Sequence, residues 1–170
     1  MKAYILKGIA HKYGDNINTD VIIPARYCTS MDPDYLGLHC MEDHDSEFVK
    51  RIKKGDILVA GENFGCGSSR ENAPIAIKGA GISCVIAKSF ARIFYRNAVN
   101  IGLPIMESRE AVDNIDSGDL IHADIKSGRI TNRTKNKIFS SVPFPDFVKK
   151  IIDCGGMIQY VRNEIKIGRK

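Results

Sequence analysis

The chain has 170 residues, 44% of them apolar and 26% charged, which excludes intrinsic disorder and a minimal stapled scaffold and makes one domain over residues 1–170 the expectation. Its 25 basic and 20 acidic residues leave a net charge of +5, interspersed except in the tail RNEIKIGRK. With no basic stripe, no recognition module and no stacking pattern among Phe and Tyr, nucleic acid is not an expected partner.

In chain order, Lys2 to Ile9 alternates loosely and reads as a strand, and Gly14-Asp15-Asn16 as a turn. Val21-Ile22-Ile23 reads as a short apolar strand stopped by Pro24. From Ala25 to Asp45 the chain is polar and contains Asp32-Pro33-Asp34. That predicts a long excursion with one helical turn, a kind of loop that usually carries function. Phe48 to Lys53 predicts a short helix. Ile57 to Ala60 is a continuous apolar run, as in a strand buried on both faces. A glycine-rich loop, Gly61 to Ser69, then leads into a helix ending near Ala80, with Pro74 limiting where it starts.

Cys84 to Ala87 predicts a second buried strand, and Ser89 the N-cap of a helix running through Ile93, Tyr95 and Val99 to Gly102. Leu103 to Met106 predicts a third strand, ahead of a short helix at Ala111 to Ile115. This alternation implies a parallel sheet with right-handed crossovers. Asp119 to Ile125, Arg129 to Asn132 and Lys137 to Ser141 predict an antiparallel meander. Pro145 opens a final helix with Phe147, Val148, Ile151 and Ile152 on one face, ended by Gly155-Gly156. The expected class is α/β: a compact, mostly parallel central sheet with flanking helices and a C-terminal β meander.

No stretch approaches the roughly 20 apolar residues that span a bilayer, so no membrane is expected as a partner. The start MKAYILKGIAHKYGD lacks the long apolar segment of a secretory signal. Five cysteines (Cys28, Cys40, Cys66, Cys84, Cys154) show neither CxxC nor zinc-knuckle spacing, and His11, His39, His44 and His122 do not pair with them. Free thiols in a cytoplasmic, reducing compartment and no metal ligand are the expectation. His39, His44 and His122 read as surface residues.

The strongest local signal is Asn63-Phe64-Gly65-Cys66-Gly67-Ser68-Ser69-Arg70-Glu71, between a buried strand and a helix start. Open parallel sheets place ligands at such positions. Gly65 and Gly67 permit backbone torsions that side chains forbid, so main-chain N–H groups can approach a ligand. The helix N-terminus adds positive potential, and Arg70 a planar fork for a carboxylate or phosphate. Arg70 stands where a dinucleotide fingerprint needs glycine, and neither a P-loop nor a nucleophile elbow fits. The plainer alternative is a tight Gly-Cys-Gly turn, Ser69 as helix cap and Arg70 on the surface. In Asn18-Thr19-Asp20, Asp20 either orients or deprotonates a partner hydroxyl, or closes an Asx turn.

Taken jointly, three ordered motifs carry a resemblance: residues 18–27 (NTDVIIPARY), 63–71 (NFGCGSSRE) and 87–97 (AKSFARIFYRN). Together they resemble the small-subunit family of 3-isopropylmalate dehydratases, the detached swivelling domain of the aconitase superfamily, over nearly the whole chain. The resemblance implies a β/β/α swivelling domain that closes over a large subunit carrying a [4Fe–4S] cluster, with no cofactor bound by this chain. No cysteine trio here suits such a cluster, which normally takes cysteine thiolates. It further implies a hydro-lyase of leucine biosynthesis, isomerising 2- and 3-isopropylmalate by dehydration and rehydration and active only with its partner.

By the same resemblance Ser68 is the base, acting as an alkoxide, supported by Asp20. Ser69 and Arg70 anchor a substrate carboxylate, with Gly67, Tyr27, Cys28 and Thr29 completing the substrate site. Arg26 is structural. After Tyr27 the loop offers no cation, which disfavours tricarboxylates, and Cys28, where the family pattern has leucine, and Met31 face a branched alkyl group. Arg92 and Arg96 share a helix face and belong to an interface, an anion site or solvent. Alternatives kept open are a related dehydratase (homoaconitase, citramalate/citraconate or 2,3-dimethylmalate) and a stand-alone anion- or RNA-binding module.

Overall fold

The computed structural model describes residues 5–167, so Lys2 to Tyr4 of the first expected strand lie outside the described residues. Seven strands share one sheet: β1 (Ile5–Lys12), β2 (Ile57–Ala60), β3 (Cys84–Ala87), β4 (Ile105–Glu107), β5 (Leu120–Asp124), β6 (Arg129–Asn132) and β7 (Lys137–Ser140), in the order β4-β3-β2-β1-β5-β6-β7. The sheet is mixed about β1. The end of β1 pairs parallel with β2 (Ala10 with Ile57), and its start pairs antiparallel with β5 (Ile5 with Asp124). β2, β3 and β4 continue the parallel half, and the β5-β6-β7 meander extends the same sheet rather than packing apart from it.

Every residue of β2 and β3 is buried, as unbroken apolar runs in a parallel sheet require. Eight helices flank it: α1 (Thr19–Ile22), α2 (Pro33–Leu38), α3 (Phe48–Arg51), α4 (Asn72–Gly79), α5 (Arg92–Asn100), α6 (Arg109–Asn114), α7 (Asp146–Asp153) and α8 (Met157–Ile167). None of the described helices is long and apolar enough to cross a membrane.

Three expectations are corrected. Val21-Ile22-Ile23 is not a strand: Thr19–Ile22 forms a helical turn because the Asn18 side chain accepts from the Val21 N–H at 2.8 Å. That local cap outcompetes the β-preference of the branched residues. Ser89 does not cap α5, which starts at Arg92 after an extended Ala91. The Ser89 hydroxyl instead accepts from the Asn63 N–H (2.8 Å) and donates to Glu62 (2.9 Å). Phe147 does not share the inner face of α7. It is exposed, whereas Val148 and Ile151 are buried.

The helix α8 is absent from the sequence reading, in which Gly155-Gly156 ends the final helix. They make only the corner between α7 and α8, both at positive φ.

Candidate functional site

Three adjacent parallel strands deliver the three motifs to one edge of the sheet. Residues 18–27 follow β1, residues 63–71 follow β2, and residues 87–97 begin at the end of β3. Connections leaving the carboxyl ends of neighbouring parallel strands are where this class of sheet builds its sites.

The loop after β2 is stitched to both neighbours. The Phe64 N–H donates to the Ser89 carbonyl (3.0 Å) and the Ala91 N–H to the Phe64 carbonyl (2.9 Å). On the other side the Gly65 N–H donates to the Ile17 carbonyl (2.7 Å) and the Thr19 N–H to the Cys66 carbonyl (2.8 Å). Gly65 sits at φ +77°, and a Cβ there would lie 2.2 Å from the Phe94 ring, so glycine is required both by torsion and by the aromatic floor beneath it. That floor is Phe64, Phe90 and Phe94, with Phe64 edge-on to both and the other two stacked.

On this floor the expected site residues fall into two groups. Asp20, Cys28 and Arg70 come together: Arg70 Nη1 donates to Asp20 Oδ1 at 3.1 Å and to Cys28 Sγ at 3.8 Å. Ser68 is half-buried beside them in sequence, between the exposed Gly67 and Ser69. Among the described residues its hydroxyl has no protein partner, and the Ser69 and Arg70 amides donate to no protein acceptor. The Ser68 amide is different. It donates to Thr19 Oγ1 at 3.0 Å, so this N–H does not serve a ligand. The residue that N-caps α4 is Glu71, with no side-chain bond, and not Ser69.

The side chains of Tyr27 and Thr29 make no hydrogen bond to Asp20, Ser68 or Arg70. The Tyr27 hydroxyl donates to Glu42 (2.7 Å), and its ring stacks on His39 at 3.7 Å with Arg26 over it. Thr29 is exposed. Arg26 is bound by Glu42 and Asp43, as a structural arginine should be. His39 is thus half-buried beneath Tyr27. Its ring, then Tyr27 and then Arg26, hold the Glu42 carboxyl below its ordinary range despite some opposing desolvation. Arg92 and Arg96 are exposed on α5.

Two amides shape the loops. Asn97, the last residue of the third motif, donates from α5 to the Ser69 carbonyl (3.3 Å), and Asn72 of α4, next after the second motif and not singled out in the sequence, donates to the Ser30 carbonyl (2.9 Å) and approaches Met31 Sδ (3.3 Å). Both are buried, and buried amides must find partners.

Among the described residues no group of three or more His, Cys, Asp or Glu side chains is placed to hold a metal ion. Cys40 and Cys84 are fully buried, and burial pushes their thiols up, away from the thiolate form a cluster needs. The residues present do not fit an iron–sulfur cluster. A concavity of about 960 Å³ between Gly79–Gly81 and the start of α8 includes none of the expected site residues. The cluster around Arg70 is open to solvent: Asp20 and Ser69 are exposed and Arg70 is half-buried.

The aconitase C-terminal domain model matches residues 33–110. The crystal structure of 3-isopropylmalate dehydratase from Methanocaldococcus jannaschii superimposes with a TM-score of 0.92 at 47% identity, covering 97% of this chain and 98% of that one. Sheet order and motif placement therefore define a swivelling domain of aconitase type. Relatives named 3-isopropylmalate dehydratase small subunit are 65% identical in Caldicellulosiruptor saccharolyticus, covering 95% of this chain and 94% of that one, and 63% identical in Caldanaerobacter subterraneus, covering 95% and 100%. The chain belongs to the 3-isopropylmalate dehydratase small subunits, components of a hydro-lyase.

Proposed function

We propose that this chain, as one swivelling domain in the cytoplasm, supplies half of an active site that interconverts 2- and 3-isopropylmalate in leucine biosynthesis. The other half belongs to a large subunit holding the [4Fe–4S] cluster, for which the described residues here present no ligand group. The observation that carries the reading is the Ser68 hydroxyl, half-buried and unpartnered, two residues from an arginine held by Asp20 on an open face.

Arg70 keeps most of its five donors free, because Asp20 engages one nitrogen, and a guanidinium fork fits a substrate carboxylate in bidentate fashion. Ser69 adds a hydroxyl to that anchor. Fixing the carboxylate positions the adjacent C–H against Ser68, which removes its proton. The free Ser69 and Arg70 amides and the guanidinium stabilise the serine alkoxide and the charge that accumulates on the carboxylate. Asp20 keeps the guanidinium in place between turnovers. The hydroxyl on the neighbouring carbon leaves as water and a carbon–carbon double bond forms; rehydration then places the hydroxyl on the carbon that lost its proton and returns the proton to the other.

Cys28 at the guanidinium and Met31 on Asn72 face the substrate's alkyl branch. Apolar contacts of this kind discriminate by only about 1–3 kcal/mol per methylene, so citraconate and dimethylmalate analogues are expected to react slowly.

The test is reconstitution with the iron–sulfur large subunit and assay on isopropylmalate, homocitrate and dimethylmalate. Turnover of isopropylmalate by the pair, with none by this chain alone, is expected. Activity of the chain alone, or preference for homocitrate, overturns the reading.

A further inference from the structure

α1 is a single turn, yet two consecutive residues of it reach the catalytic loop. Asp20 holds Arg70. Thr19, only 2% exposed, holds the loop on both sides of Gly67: its N–H donates to the Cys66 carbonyl (2.8 Å), and its Oγ1 accepts from the Ser68 N–H (3.0 Å). Gly67 stands at φ +99°, and a Cβ there would lie 3.2 Å from Thr19 Oγ1. The hydroxyl thus occupies the space a side chain at 67 would need. Asn18 fixes the turn itself by capping it.

We infer that Thr19 is a positioning residue for the dehydratase reaction. Its hydroxyl fixes the peptide of Ser68 and so aims the Ser68 hydroxyl at the carbon-bound proton. This rests on the assignment of Ser68 as base. The physical basis is that a residue following a glycine at positive φ has a soft backbone, and a buried, directional hydrogen bond is what removes that softness. Proton transfer tolerates little misplacement: about 1 Å can cost roughly 100-fold in rate. Thr19 makes no hydrogen bond to the Arg70 side chain or to the free amides of Ser69 and Arg70, so its hydroxyl can be removed without breaking a bond to the substrate anchor.

Thr19→Val keeps shape and burial but removes the acceptor, whereas Thr19→Ser keeps the acceptor. In the reconstituted heteromer, Thr19→Val is expected to lower kcat by roughly 10–100-fold with KM within about threefold, and Thr19→Ser to recover most of that loss. In a Ser68→Ala background, Thr19→Val should remove nothing further, since both act through one group. Equal behaviour of the Val and Ser variants, a loss confined to KM, or a full additional loss in the Ser68→Ala background overturns the inference. If Thr19→Val does not assemble with its partner, Thr19→Ala carries the same prediction. The two readings separate cleanly. Undiminished turnover in Ser68→Ala alone defeats the base assignment, whereas a collapse in Ser68→Ala with undiminished turnover in Thr19→Val defeats only the role of Thr19.

Discussion

Arg70 is held by an exposed carboxylate and a half-buried thiol, which leaves it at once restrained and available. An exposed ion pair such as Arg70–Asp20 adds little to stability; its effect is to orient. Arg70→Lys retains the charge but replaces the fork with a single point donor. In the reconstituted enzyme, KM for isopropylmalate is expected to rise by at least roughly tenfold, measured by steady-state kinetics, with the thermal midpoint of the chain nearly unchanged. An unaltered KM would show that the carboxylate is anchored elsewhere. At this scale the sequence was informative where chemistry is local. Gly65, Gly67, Ser68 and Arg70 lie within six consecutive residues and mark a glycine-bearing turn beside a cation. The Thr19 hydroxyl was not legible, since its partner amide lies 49 residues away, and no spacing rule connects the two.

Among the elements, β1 is joined to the residue before β2 by a buried His11–Asp56 pair. Asp56 accepts from His11 Nε2 (2.8 Å), the Ile9 N–H (3.0 Å) and the Lys53 N–H (2.9 Å). Burial alone would raise its carboxyl, but the His11 ring and the two amides outweigh it, and the net direction is downward. Asp119, at the start of β5, shows the same balance, with Asn132, the Asp116 amide and Lys135 prevailing over burial.

A carboxyl lowered in the folded state stabilises the protein fully above its unfolded value, near 3.9. That contribution disappears as pH falls through the folded value. The urea midpoint should therefore hold from neutrality to about pH 5 and then fall with acid. In Asp56→Ala the acid-side slope should be shallower and stability at pH 7 lower by on the order of 3 kcal/mol. A midpoint indifferent to pH between 5 and 3 would contradict this account.

Legibility at this scale followed burial. β2 and β3 were read correctly because strands buried on both faces are apolar throughout, and the meander because its turns carry glycine and asparagine. Val21-Ile22-Ile23 misled because three branched apolar residues favour a strand by propensity, whereas Asn18 satisfies the local amides as a helical cap. α8 is missing from the sequence reading because Gly155-Gly156 read as a helix end, although Ile158, Val161 and Ile165 recur at helical spacing beyond them; in the structure all three are exposed.

For the whole molecule, β1 is the seam between a parallel half that carries the site and an antiparallel half that extends the sheet. Neighbouring strands β1, β2 and β3 bring the three motifs to one edge, which is why motifs far apart in sequence converge in space. Asp20 and Ser69 at that edge are exposed, and the base of the proposed reaction, which must stay dry during proton removal, needs a cover. In the proposed function the large subunit is that cover. The measurement that bears most directly on this is turnover of isopropylmalate by Ser68→Ala assembled with the iron–sulfur large subunit. The account predicts normal assembly, a KM close to that of the unaltered pair and a kcat lower by at least about 10³-fold. A kcat near that of the unaltered pair would contradict it.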